Sequence, residues 1–150
     1  MLRNAMLFCA VILLSDRPRP NANTMDEKEQ IWQAVRAWNT AFEQNDAEGF
    51  FRHMHEDVSL FLPTYPYRIE GKEPDRKGYD FGLATGHSRV AFFQEMQPVI
   101  AVYGDAALVT YHTRGWYGPP GTEQLANLKE TNVLVKQSGV WKVVHVHISK

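Results

Sequence analysis

Three stretches near the C-terminus, Gly104 to Tyr111, Lys129 to Val135 and Gly139 to Ser149, are dense in β-branched and aromatic residues. Each reads as a strand, and turn residues separate them. Gly118-Pro119-Pro120-Gly121 breaks the first pair. Gln137-Ser138-Gly139 makes a short hairpin between the last two, because Gly takes φ > 0 without strain. Long sequential strands of this kind form an antiparallel sheet, and a sheet must bury at least one face. The rest of the chain has to supply the cover.

The N-terminal half carries helical signals. Thr24 with Glu27 three residues on reads as a capping box, and Asp26, Glu27 and Glu29 suit the positive end of a helix dipole. Ile31, Trp32, Val35, Trp38, Ala41 and Phe42 recur at helical spacing and define one apolar face. Asn45-Asp46 ends that helix, and Asp46 caps a short second one holding Phe50, Phe51 and Met54. Val58 to Leu62 reads as a strand stopped by Pro63, and Tyr65 to Ile69 as a short edge strand. Glu70-Gly71-Lys72 is a turn, and Glu73-Pro74-Asp75 opens a third helix ending at Thr85-Gly86. Ser88 to Glu95 and Gln97 to Tyr103 read as one strand kinked near Pro98. This order predicts an α+β fold. About three N-terminal helices cover a curved antiparallel sheet of about six strands.

A chain of 150 residues suits one domain able to bury about two-thirds of its unfolded surface. Its 16 basic and 17 acidic residues leave no basic excess for a nucleic acid. One cysteine, Cys9, excludes an intramolecular disulfide and a thiolate metal cluster. Residues 1–24 differ from the rest. Ala5 to Leu14 is an apolar run too short to span a bilayer, and Ser15 to Pro20 lacks a convincing cleavage site. This segment is read as an extension with a weak signal-like character, preceding a domain over 25–150. The expected compartment is the cytoplasm, with export as the alternative if residues 1–24 act as a signal peptide. No membrane span is expected.

Three motifs carry a resemblance. The first is the close of the opening helix, Ala41 to Phe50. The second is Tyr67-Arg68-Ile69-Glu70-Gly71-Lys72-Glu73. The third is Val102-Tyr103-Gly104-Asp105-Ala106-Ala107 with the Trp141 to Ser149 strand. In this order they resemble the nuclear transport factor 2-like superfamily, the fold of SnoaL-like proteins and ketosteroid isomerases. The tail looks most like the association domain of calcium/calmodulin-dependent protein kinase II, through Glu130-Thr131 and the Trp141 to His147 ending. The resemblance implies a cone-shaped sheet with a pocket on its concave side, and a homodimer through its convex side. It implies no particular activity, because one fold hosts many.

Carried over residue by residue, the resemblance removes two chemistries. The isomerases' catalytic aspartate falls on Leu62, which accepts no proton. The association domain's carboxylate-clamping arginines fall on Thr113, Asn132 and Ile148. His145 and His147 share a strand face and, with His112 or Glu130, have a geometry that could bind a metal. The family ending keeps these histidines without one, so no metal or cofactor is expected. His53 and His55 are two apart at a helix end and chelate poorly.

What remains is a polar group among strand residues otherwise made of Val and Leu. Strand parity pairs Tyr111 with Thr113 and Glu130 with Asn132. Facing the pocket, these four would form a polar floor. Tyr65 and Tyr67 add aromatic rings with hydrogen-bonding handles. The expected function is therefore to hold a small, largely apolar molecule. The expected ligand-binding residues are Tyr65, Tyr67, Tyr111, Thr113, Glu130 and Asn132. If the domain is an enzyme, Glu130 and Tyr111 are the expected acid–base partners of an isomerase, cyclase or hydratase. The alternative is a non-catalytic dimerisation or assembly module.

Overall fold

The structure, a computed structural model, describes residues 26–150. The expectations for residues 1–24, including Thr24 as a cap, lie outside the described residues. Helix α1 (Glu27–Glu43) starts at Asp26, whose side chain makes no capping bond, with Glu27 and Glu29 in its first turn. It buries Ile31, Val35, Trp38, Asn39 and Ala41; of the predicted stripe Trp32 and Phe42 are only half-buried, and Asn39 is a polar addition. Asn45 ends the turn after α1 at φ 57°, a left-handed geometry that asparagine tolerates. Asp46 then caps α2 (Ala47–Arg52) by accepting from the Gly49 N–H at 3.0 Å, as the sequence predicts.

Strand β1 (Met54–Phe61) follows at once, so Met54 is the first strand residue and not part of the helix before it. The predicted edge strand shrinks to β2 (Ile69–Glu70), because Pro63 and Pro66 remove ladder donors ahead of it. Helix α3 (Lys72–Thr85) ends on Gly86, which is left-handed at φ 80°. The long strands are β3 (Val90–Tyr103), β4 (Ala106–Tyr117), β5 (Gln124–Gln137) and β6 (Val140–Ser149). Between the last two, Ser138 and Gly139 both take positive φ, which closes a tight hairpin.

The six strands form one open, curved sheet in the order β2-β1-β6-β5-β4-β3. One expectation is corrected. The sheet is mixed, not antiparallel, because β1 pairs with β6 in parallel, Leu60 lying opposite Val146. β2 already occupies the other edge of β1, so β6 docks on the free edge, running in the same direction. That pairing joins segments more than 80 residues apart, and local patterning carries no information about its sense.

Bulges bend the sheet. In β3 the register slips between Met96 and Val99, where Gln97 takes φ 54° and Pro98 has no N–H to donate. This is the predicted kink. A second slip between β5 and β6 leaves Val144 unpaired, so Trp141, Val143 and Val146 all face inward. The concave face packs Ile31, Val35, Trp38, Phe50 and Phe51 from the helices against Val58, Val109, Leu134, Val143 and Val146. Asn45 locks helices to sheet. Its amide donates to the Val90 carbonyl at 3.1 Å and accepts from the Val90 N–H at 3.0 Å, in the manner of a neighbouring strand.

Candidate functional site

Curvature leaves a cavity of about 640 Å³ on the concave side, walled by all three helices and floored by the sheet. Trp38, Asn39 and Phe42 come from α1, Phe50 from α2, and Asp75, Gly78 and Tyr79 from α3. The floor is Glu130 of β5 with Leu60, Val146 and Ile148 beside it. This size suits a compact organic ligand, since such sites span roughly 300–1,000 Å³. A second hollow of about 450 Å³ lies beside the β3 bulge, between Met96, Gln97, His112 and Lys129, and contains no buried ionisable group.

Alternation along β4 turns Tyr111 and Thr113 inward, and along β5 it turns Glu130 and Asn132 inward. Tyr111 lies opposite Glu130 in the ladder. Its hydroxyl donates to Glu130 Oε2 at 2.7 Å. The Tyr111 hydroxyl oxygen in turn accepts from Asn132 Nδ2 at 2.8 Å and from Asn39 Nδ2 at 3.2 Å. Asn39 also donates to Glu95 Oε1 at 3.2 Å. Two amides thus feed one hydroxyl, which feeds one carboxyl, and the carboxyl faces the cavity.

The polar floor therefore has two layers. Glu130 lines the cavity, while Tyr111, Thr113 and Asn132 sit behind it, almost fully buried. Tyr65 reaches the cavity rim, its hydroxyl against Gly78. Tyr67 does not line it. Its side chain is largely exposed and meets only the Tyr65 ring, at 5.9 Å, among the ring contacts of the described residues. Leu62 and Ile148 are apolar parts of the lining.

Burial pushes the Glu130 carboxyl up to about 7, the hydrogen bond from the Tyr111 hydroxyl pulls it partly back, and the charge of Glu95 adds to the rise. Burial, with Glu130 beside it, drives Tyr111 well above its ordinary value, so it stays a proton donor at neutral pH.

Sequence reading missed Asp75. It passes as an ordinary helix-opening acid, yet it is 8 % exposed, and burial alone pushes its carboxyl up to about 7. Asp75, Tyr79 and Gly82 form the buried stripe of α3, so helical spacing from Tyr79 was the available signal. Asn39 was also missed, although it stands four residues after the buried Val35.

The histidine pair lies on the other face of the sheet. Ser59 Oγ and His145 Nδ1 are hydrogen-bonded at 2.8 Å, and the Phe61 ring packs against His145 and His147. Among the described residues no group of three or more His, Cys, Asp or Glu is placed to hold a metal ion. No helix of the described residues is long and apolar enough to cross a membrane.

The fold recurs in solved structures. A ketosteroid isomerase-like protein from Erwinia carotovora atroseptica superposes with a TM-score of 0.69 at 25% identity, over 84% of this chain and 98% of that one. The association domain of calcium/calmodulin-dependent protein kinase II from C. elegans gives 0.67 at 26% identity, over 82% and 95%. An NTF2-like protein from Cytophaga hutchinsonii gives 0.72 at 18% identity, over 83% and 98%. No curated protein matches the chain. Residues 31–150 match the SnoaL-like domain family, a span covering every strand and nearly all of the helical cover. With the three N-terminal helices and the curved six-stranded sheet, this match makes the chain a member of the SnoaL-like domain family.

Proposed function

We propose that the cavity binds a compact, largely apolar molecule and moves a proton on it, with Glu130 as the acid–base group. The observation that carries this reading is a buried carboxyl at the cavity floor held by a relay of hydrogen bonds. A group that titrates near the working pH is suited both to take a proton and to return it. Glu130 lines the cavity, which supports giving it rather than Tyr111 the acid–base role. Tyr111 is a positioning residue. Its only proton is already directed at Glu130, and its lone pairs are engaged by Asn39 and Asn132. The chemistry within reach is proton abstraction next to a carbonyl, which underlies isomerisation, cyclisation and loss or addition of water. The ketosteroid isomerase-like relative supports a reading of this class.

The test needs no knowledge of the natural substrate. A panel of small cyclic ketones and β-hydroxy ketones is incubated in D₂O, and deuterium at the α-carbon is followed by NMR. Wild type should accelerate incorporation for some members, and Glu130→Gln should not. Equal rates for both proteins would remove Glu130 from any such chemistry.

A second observation favours assembly as a concurrent role. Phe92 and Trp116 are more than a third exposed and lie opposite each other on β3 and β4, an apolar row on the convex face. We infer that this apolar row closes against a second copy of the chain, as a homodimer. The similarity to a kinase association domain supports it. Native mass spectrometry should show a dimer that Trp116→Lys dissociates. A monomeric wild type would end this reading.

A further inference from the structure

The cavity holds two buried carboxyls and no buried base. Asp75 projects from α3 and Glu130 from β5, and both line the same space. Among the described residues the Asp75 side chain makes no hydrogen bond or ion pair, although it is only 8 % exposed. The basic side chains on the lining, His87 and Lys150, are both exposed and so keep their own hydration. Trp38, Phe42, Phe50 and Tyr79 give the walls aromatic faces, beside the aliphatic Leu60, Leu62, Val146 and Ile148. The Tyr79 hydroxyl is buried and has no hydrogen-bond partner among the described residues. An unpaired buried carboxylate costs free energy that an opposite charge recovers, and aromatic faces attract cations.

We propose that the ligand is a compact amine, its ammonium seated on Asp75 within the aromatic walls. This rests on the reading of the cavity as a ligand site. It adds a charge to that ligand and assigns the two carboxyls different tasks. Asp75 anchors the cation. Glu130, held by Tyr111, is left free to exchange a proton with the neighbouring carbon. Anionic ligands are rejected, because they would meet two carboxyls and no buried counter-charge.

Three probes of nearly one shape separate the terms: phenyltrimethylammonium, neutral tert-butylbenzene and benzenesulfonate. Binding to the whole protein is measured by calorimetry and by NMR shifts. The ammonium should bind at least about tenfold more tightly than tert-butylbenzene, and the sulfonate should not bind. Asp75→Asn should abolish the preference for the cation while still binding tert-butylbenzene, which also shows that the variant is folded. Equal affinity for cation and neutral probe, tighter sulfonate binding, or a preference that survives Asp75→Asn would each overturn the amine assignment and leave the cavity reading intact. If none of the three binds, both readings fail together.

Discussion

Replacing Glu130 with Gln should stabilise the protein at high pH and leave it nearly unchanged at low pH. The sign follows from the direction of the shift. A carboxyl whose folded value lies above its unfolded value holds its proton more tightly when folded. Stability then falls as pH rises through the interval between the two values, and the loss is complete above the folded one. For Glu130 that interval runs from 4.5 to about 7. At about 1.4 kcal/mol per pH unit, ionisation there costs the folded state about 3 kcal/mol. Gln keeps the shape and still accepts from Tyr111, but buries an amide with fewer partners, a cost of about 1 kcal/mol. The variant should therefore gain about 2 kcal/mol at pH 8 and lie within about 1 kcal/mol of wild type at pH 5. Urea unfolding at pH 5, 6, 7 and 8 measures this. Asp75 contributes in the same direction. His53 and His145, whose values burial lowers, contribute in the opposite one. All three cancel when the variant is compared with wild type at each pH. A stability difference that stays constant across the series, or a variant weaker at pH 8 than at pH 5 relative to wild type, would refute the assignment of a costly buried charge to Glu130.

Other perturbations follow from the same geometry. Tyr111→Phe removes the hydroxyl that two amides donate to, and should cost about 1–3 kcal/mol in urea unfolding. It should also move Glu130 further up, because the Tyr111 hydrogen bond opposes the rise; a titration unchanged from wild type would show that the bond is not made. Trp141→Ala should cost about 3–5 kcal/mol, since the ring is 4 % exposed in the core under the Lys136 ammonium. A loss below about 1 kcal/mol would place that ring outside the core. Asn45→Ala loses both bonds to Val90 and the left-handed preference of asparagine, for about 2–3 kcal/mol. Hydrogen exchange at the start of β3 should speed up with it, and unchanged protection there would mean the clamp is dispensable.

Much of this architecture was legible because it is written in local chemistry. The Asp46 cap, the kink at Pro98 and the Ser138-Gly139 hairpin each depend on residues adjacent in sequence. Strand parity paired Tyr111 with Thr113 and Glu130 with Asn132 because side chains alternate, but only the register that sets Tyr111 opposite Glu130 brings both pairs to one face. The parallel junction of β1 with β6 was not legible, since nothing near Leu60 records the direction of Val146. Tyr67 was assigned to the pocket from its chemistry alone, and Pro66 instead leaves it in an exposed turn. Asp75 was hidden by a bland explanation. An acid at a helix start satisfies the dipole, and only its place on the Tyr79 stripe reveals that it turns inward.

The central claim is that two carboxyls in one concave cavity hold their protons close to neutral pH. Carbon-13 NMR of the protein labelled at carboxyl carbons, followed from pH 3 to 9, measures each group directly. Asp75 and Glu130 should titrate near 7, and the two resonances should vanish from the titrating set in Asp75→Asn and Glu130→Gln respectively. Titration of every carboxyl below about 5, the ordinary range for solvated side chains, would contradict it.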